Sequence, residues 1–410
     1  MNKPFYGWWV LLGLCMMYFA SNGIGLNTLP LFFPEMAKEF GWDPAKATLP
    51  SSLLYLTIAI MSPFIGQLLD RFDARKVIIL GTIGVVAALL MFAKITDFNQ
   101  LLLFYVAFPL MLSMMGIITS MYVIRQWFDK KLGLAIGLFL NSSSLGGAVF
   151  APWAGSIVKA QGWQTAALYI SIVGAVCMLL PLLWIKIRPS DVGQLPDGEA
   201  AVKAVERHTV TNLEEPRGVT FKQAMRFPGF WLLTVVTGVL WFCITGFLSS
   251  QGFYYKDLKL DPAQAGQISG VYFGFAVVGK IVFGYLSDRL DKKKVMLFAV
   301  VTLLLGVLAM KMSLSNVSWM YGFAVLYGIG YSAAFTMIQI LVAEYYRGRA
   351  YGSILGVVSM IDTLAGFAGV IVLGTLRKNN GDFHTAFNMM MLLCAAAAVA
   401  TFFVKKPTST

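Results

Sequence analysis

Long apolar runs broken by brief polar punctuation dominate the chain. Twelve stretches hold about 20 or more mostly apolar residues, the length a helix needs to cross a bilayer. Their approximate cores are 8–33, 48–69, 77–95, 99–123, 133–158 and 164–186, then 229–253, 264–287, 295–314, 318–343, 351–376 and 386–404. None shows the alternating ten-residue pattern of a membrane strand. The pattern predicts an all-α membrane protein of twelve spanning helices. The first run exceeds a signal-peptide core and lacks an Ala-x-Ala cleavage site, so it is expected to stay as a helix. One long polar stretch, 187–228, carries Pro189, Pro196 and Pro216 with charges of both signs. It predicts a partly disordered cytoplasmic linker between an N-terminal bundle, 1–186, and a C-terminal bundle, 229–410.

The two halves repeat. With an offset of 218 residues (43 to 261), Asp43-Pro44-Ala45 falls on Asp261-Pro262-Ala263 and Gly66 falls on Gly284. Asp70-Arg71 falls on Asp288-Arg289, Asp73 on Asp291, and Lys76-Val77 on Lys294-Val295. Apolar helices share Leu and Ala by chance, but not Asp-Pro at one end and Gly-x-x-x-Asp-Arg at the other. Phe5-Tyr-Gly-Trp-Trp and Phe227-Pro-Gly-Phe-Trp also echo one another at the entry to each half. Repeats in the same orientation pack about an axis along the membrane normal and hold a substrate between them near the midplane.

Composition agrees with this and narrows the function. The 410 residues are 58% hydrophobic and 13% charged, with a mean hydropathy of +0.72, whereas soluble domains carry about 25% charged residues. A net charge of +12 could signal nucleic acid. However, most of the 32 Lys and Arg fall in loops on one side, such as Arg71, Arg75, Lys76, Lys130, Lys131, Arg289 and Lys292 to Lys294. That bias places both termini in the cytoplasm, makes the lipid bilayer the partner and leaves no nucleic-acid role. Cys15, Cys177, Cys243 and Cys394 lie within spans without ligand spacing and read as small core residues. The spans hold no metal cluster, nucleophile–base pair or phosphate-cradling loop, and His208 and His384 lie in loops. No cofactor or enzyme activity is expected.

The candidate chemistry centres on Lys280. It lies about 8 residues from the charged end of its span, about 12 Å along a helix and too far to snorkel. A cation at that depth costs at least about 2.5–3.5 kcal/mol on insertion scales, so it is expected to face a cavity. Asp362 is the acid placed well inside a span. It could balance Lys280, carry a proton, or act as a packing carboxylate bonded to Thr363 or a nearby Ser. Tyr327, Tyr331 and Phe335 form a stripe at i, i+4, i+8. They read either as helix packing or as a cavity wall, with Tyr331 able to donate to a carboxylate and Phe335 shaping the apolar side. Asn27 is the best contact from the first span. The patch Asn141-Ser-Ser-Ser-Leu145-Gly-Gly reads as interhelical packing or, through Asn141 and Leu145, as cavity lining. Tyr122 and Thr119 are weaker candidates in the fourth span.

Two six-helix halves, a long central loop and Gly-x-x-x-Asp-Arg in the second loop of each half together resemble the major facilitator superfamily over essentially the whole chain. The resemblance implies a transporter working by alternating access. It also implies that Gly66, Asp70, Arg71, Gly284, Asp288 and Arg289 form a structural and gating motif, the glycines for close packing and the acids for pairing with nearby Arg. Asp73-Ala74 stands where that family prefers glycine, so the turn there is expected to differ. Within the superfamily the chain resembles a bacterial relative of the monocarboxylate transporters and the oxalate/formate exchangers. The resemblance rests on Trp127-Phe128-Asp-Lys-Lys-Leu-Gly-Leu-Ala135-Ile-Gly137 and on Lys280, spaced from Asp288 as those transporters space a substrate-binding arginine. It implies a small monocarboxylate such as lactate or pyruvate, a proton as co-substrate, and the bacterial inner membrane. The alternatives are anion exchange or a non-transport sensor. Three departures stand out: Tyr6 replaces an aspartate, Ala276 replaces the coupling aspartate, and the cation is lysine.

Overall fold

Aspartates start the helices. The computed structural model describes residues 5–198, 220–346 and 351–406. In it, Asp43, Asp73, Asp97, Asp261 and Asp291 each accept a backbone N–H from the first turn they precede. Such a cap is worth about 1 kcal/mol, because it satisfies one of the donors a helix start leaves open. The twelve spans are α1 (Gly7–Phe40), α2 (Pro44–Arg71), α3 (Ala74–Phe92), α4 (Phe98–Trp127), α5 (Leu132–Gln161) and α6 (Trp163–Leu183) in one half. The other half holds α7 (Pro228–Asp257), α8 (Pro262–Arg289), α9 (Lys292–Ser313), α10 (Trp319–Tyr345), α11 (Tyr351–Asn380) and α12 (His384–Phe403). Eleven of these are long and apolar enough to cross a membrane on composition alone. The twelfth, α2, is studded with Ser, Thr and Gln yet runs 28 residues. The described residues contain no strand.

The repeat is visible at atomic detail. Gly41 and Lys259, each two residues before an Asp cap, both adopt left-handed backbone, with φ of 66° and 58°. Lysine there is strained where glycine is not. Trp8 meets Phe128 at 5.1 Å between ring centroids, and Phe230 meets Tyr346 at 5.6 Å, each tying the entry of a half to the end of its fourth span. Neither copy of the repeat carries a glycine at the turn that follows Asp-Arg. Asp73 (φ −60°, ψ 120°) and Asp291 (φ −57°, ψ 119°) have one conformation, because an aspartate cap needs extended backbone and no glycine. Part of the linker packs on the first half: Asp197 accepts from the backbone of Asp129 and Lys130, next to the point where Trp127 Nε1 donates to the Lys186 carbonyl at the end of the bundle. The middle of the linker, with His208, lies outside the described residues.

Helix α1 is broken halfway. After Asn22 it loosens into one wide turn over Gly23–Thr28, then tightens over Leu29–Phe32, where Pro30 removes a donor. Gly23 and Gly25 allow neighbours in. A Cβ on Gly23 would lie 2.6 Å from the backbone of Gly146, and one on Gly25 would lie 2.1 Å from the Phe108 ring. Gly146 itself has only 2.1 Å between a would-be Cβ and the Phe19 carbonyl. Gly146→Ala should therefore push α5 off α1 and cost about 1–3 kcal/mol. Thermal unfolding of the detergent-solubilised protein, followed by tryptophan fluorescence, should show a drop of several degrees. Gly137→Ala, where nothing lies within 4 Å, should leave the midpoint in place.

The halves meet through α5 against α8 and α2 against α11. The named contacts run from Lys159–Asp261 and Gly155–Pro262 down to Lys280–Leu140 on one side, and from Lys378–Asp43 to Gly374–Thr48 on the other. Beyond Leu140 the partners part. Gly133, Gly137 and Gly284 have no neighbour within 4 Å of a would-be Cβ, and Asp288 and Arg289 are exposed. The halves are thus closed at the face away from the chain termini and separated at the face that carries them.

Candidate substrate site between the two halves

Gly279 lets α8 press onto α10, where a Cβ would come within 2.2 Å of Ser332 Oγ. This contact fixes the direction of the next residue. Lys280 is 8% exposed, and its Nζ donates to the Leu140 carbonyl of α5 at 2.8 Å. Leu140 belongs to the other half, so the buried cation spans the interface. Pairing with a backbone carbonyl is one of the few ways a charge persists at this depth. Among the described residues Lys280 uses one of its three ammonium hydrogens. Phe335 from α10 lies 5.6 Å from Nζ by its ring centroid, close enough for cation–π attraction, and it is braced by Trp241 of α7 at 5.7 Å.

One turn before Phe335 on α10, Tyr331 packs against Tyr272 at 5.4 Å and stacks with Tyr327 at 6.4 Å. Its phenol approaches Ser144 of α5 across the interface. Ser144 Oγ and Asn141 Oδ1 are buried without a well-formed hydrogen bond, as is Thr119 Oγ1 on α4. Buried polar atoms without partners are uncommon and costly. Asn141 and Ser144 lie on α5 beside Leu140, which holds the ammonium, and their spare acceptors suit a polar solute. Lys280, Phe335, Tyr331, Asn141 and Ser144 therefore come together, with donors from α8 and α10 facing acceptors from α5.

The other expected residues sit differently. Tyr327 is fully buried among Phe247, Phe323 and Tyr272 and reads as packing. Asn27 lies in the broken part of α1. Its Nδ2 donates to the Ser143 carbonyl at 3.0 Å, and its main-chain carbonyl accepts from Gln251 Nε2 of the other half at 2.9 Å. It therefore clamps α1 to α5 and α7. Leu145 is 46% exposed and shares a stripe of α5 with Leu138 and Val149. Tyr122 is half-buried on α4 and makes no hydrogen bond or ring contact among the described residues. Asp362 bonds neither Lys280 nor Thr363, whose hydroxyl goes to the Ser359 carbonyl. Instead it is 2% exposed and accepts from Thr237 Oγ1 of α7 at 2.7 Å. Thr237 and Trp241 were missed from the sequence, although Thr237-Gly238 breaks the apolar run of α7.

The gating motif is disengaged. Gly284 has no neighbour within 4 Å of a would-be Cβ among the described residues. Asp288 is exposed, Arg289 lies over Tyr285 at 4.5 Å, and Arg71 is exposed. Gly66 and Asp70 lie on α2, outside the residues whose surroundings are described, and Arg347 and Arg349 lie outside the described residues. Separation of the termini-bearing face accounts for this, since the motif is expected to close that face.

Comparison with known proteins agrees with the architecture. The family model described as Major Facilitator Superfamily matches residues 10–258 and 230–410. An uncharacterized transporter of this type from Bacillus subtilis (strain 168), YcxA, is 26% identical over 90% of this chain and 88% of its own length. The probable sulfoacetate transporter SauU of Cupriavidus necator is 24% identical over 96% of this chain and 93% of its own. Monocarboxylate transporter 13 of Bos taurus is 23% identical, covering 93% and 85%. A bacterial homologue of the human lysosomal transporter Spinster, solved in an inward-facing and occupied conformation, superposes with a TM-score of 0.72 at 16% identity, covering 98% of this chain and 97% of its own. With two six-helix repeats, a cleft between them and a family match along nearly its whole length, the chain belongs to the major facilitator superfamily of membrane transporters.

Proposed function

We propose that the protein is a secondary transporter of small monocarboxylates of the lactate or pyruvate kind, working by alternating access with a proton as co-substrate. The carrying observation is Lys280: a buried ammonium with spare donors, held across the interface by a backbone carbonyl rather than by a carboxylate. A substrate carboxylate would compete with that carbonyl, take a second bond from Tyr331 and lay its short apolar end against Phe335. One cation suits one carboxylate, since a second charge would want a second buried cation. The positive-inside bias supports placing the termini in the cytoplasm of a bacterial inner membrane, so the open face is the inner one. Asp362 with Thr237 is the proposed proton carrier, since Ala276 supplies no acid beside Lys280.

Proteoliposomes test this reading. Labelled lactate should accumulate when the outside is acidified, and unlabelled pyruvate should compete. Uptake that ignores the proton gradient but accelerates with lactate trapped inside would favour exchange. No uptake of any short monocarboxylate would remove the substrate class.

A further inference from the structure

The Asp-Pro-Ala repeat has a second use beyond starting α2 and α8. Asp43 Oδ1 accepts from Lys46 N at 2.9 Å, and Asp261 Oδ1 accepts from Gln264 N at 3.0 Å, each capping its own helix. The other oxygen of each carboxylate turns to the opposite half. Asp261 Oδ2 meets Lys159 Nζ of α5 at 2.8 Å, and Asp43 Oδ2 meets Lys378 Nζ of α11 at 3.4 Å. The pairs are reciprocal: the first half gives a lysine to one and an aspartate to the other.

The lysines belong to a repeat of their own. Gly155-Ser-Ile-Val-Lys159 and Gly374-Thr-Leu-Arg-Lys378 both read Gly-x-x-x-Lys, at an offset of 219 rather than 218 (155 to 374). In each, the glycine is where the helices cross. A Cβ on Gly155 would lie 2.2 Å from the Pro262 carbonyl, and one on Gly374 would lie 3.0 Å from Thr48 Oγ1. Thr48 and the Gly266 that Gly155 also touches are themselves repeat equivalents (48 to 266). Both crossings lie at the closed face, away from the termini.

From this we infer that Lys159–Asp261 and Lys378–Asp43 form a two-point latch that holds the face opposite the termini shut and sets how often the transporter opens there. Two features favour a latch over a static staple. The pairs are substantially exposed, with side chains at 58% and 35%, and 54% and 43%, so water can replace them at little cost when the face opens. Both carboxyls also sit below the usual carboxylate range: the Lys159 ammonium is the main cause at Asp261, and the Lys46 backbone N–H is the main cause at Asp43. Both pairs are thus charged at neutral pH. The inference rests on alternating access but on no choice of substrate.

The test reads opening directly, without substrate. Ser249 is buried and lines a small void with Ser51 and Tyr55, on the closed-face side of Lys280. Ser249→Cys can be modified with a small charged methanethiosulfonate and quantified by mass spectrometry, which separates it from Cys15 and Cys177. In this background, Asp43→Asn, Asp261→Asn, Lys159→Gln and Lys378→Gln together should speed modification about 3- to 30-fold, because two exposed pairs each contribute up to about fivefold. Asparagine keeps the helix caps, so the fold is preserved. Raising salt from low to about 1 M should accelerate the parent and leave the fourfold variant unchanged. Lys378→Gln alone, which touches no cap, should give an intermediate rate. An unchanged rate in the fourfold variant at low salt, or a lower melting point without faster modification, would overturn the latch. Lactate uptake measured on the same variants separates this failure from failure of the substrate reading.

Discussion

Lactate uptake should fall at least about 30-fold when Lys280 becomes alanine. The ammonium is 8% exposed and already spends one hydrogen on the Leu140 carbonyl. Removing one partner of a buried, charge-assisted contact costs about 2–5 kcal/mol, which is about 30-fold or more in binding. Alanine also removes the tether between α8 and α5, so a second variant separates charge from packing. Lys280→Gln keeps most of the volume and can still donate to Leu140, but carries no charge. If charge is the cause, Gln should be as inactive as Ala while keeping the parent melting temperature. Lys280→Arg should raise uptake about threefold or more by lowering KM, because a planar guanidinium meets a carboxylate with two parallel bonds. Parent-like transport by the glutamine form would remove Lys280 from the site.

How much of this could be read from the chain varies with the range of the interaction. Spans and repeat were legible, because bilayer thickness fixes an apolar length and Asp-Pro with Gly-x-x-x-Asp-Arg is specific. Lys280, Tyr331 and Phe335 were legible because a charge in a span and an i, i+4 pair in a helix leave few choices of face. The cleft-facing side of α5 was not legible, because α5 carries small residues on two faces, toward α1 and toward α8, and periodicity does not choose between them. The partner of Lys280 was not legible at all, since a main-chain carbonyl from a helix about 140 residues away leaves no mark in side-chain pattern. The lysines of the closed face were hidden by one residue: the shift from 218 to 219 between α2/α8 and α5/α11 takes Lys378 out of register with Lys159.

Tyr331, Asn27 and Lys280 also show how one site connects to the change of access. Each makes its main contact with the opposite half or with the segment that clamps it: Tyr331 toward Ser144, Asn27 to Gln251, Lys280 to Leu140. A solute that draws Lys280 off Leu140 therefore loosens the interface it sits in. Binding and opening are coupled to the extent that those contacts differ between the two access states.

Asp362→Asn should abolish proton-driven accumulation while leaving lactate exchange across the membrane largely intact. Asp362 is 2% exposed and meets one described donor, the Thr237 hydroxyl at 2.7 Å. That hydroxyl also lies 3.1 Å from the Thr234 carbonyl. A hydroxyl has one hydrogen to give and can accept as well. With the carboxylate ionised, Thr237 donates to it. With the carboxyl protonated, Asp362 donates to Thr237, which turns its hydrogen to Thr234. Both states keep the Asp362–Thr237 hydrogen bond, so the pair can hold or release a proton by rotating one hydroxyl, without moving a helix. Asparagine keeps the size and can donate to Thr237, but it cannot titrate, so the two halves should still rock with substrate aboard. In proteoliposomes the variant should equilibrate labelled lactate against unlabelled lactate at close to the parent rate, yet reach no excess over the outside concentration when the outside is acidified. Thr237→Val, which removes the rotating hydroxyl and keeps the acid, should slow acid-driven uptake by about tenfold while sparing exchange, since it leaves the buried carboxylate short of its described donor. Acid-driven accumulation by the asparagine form equal to the parent would place the coupling proton elsewhere, on the substrate itself or on another group.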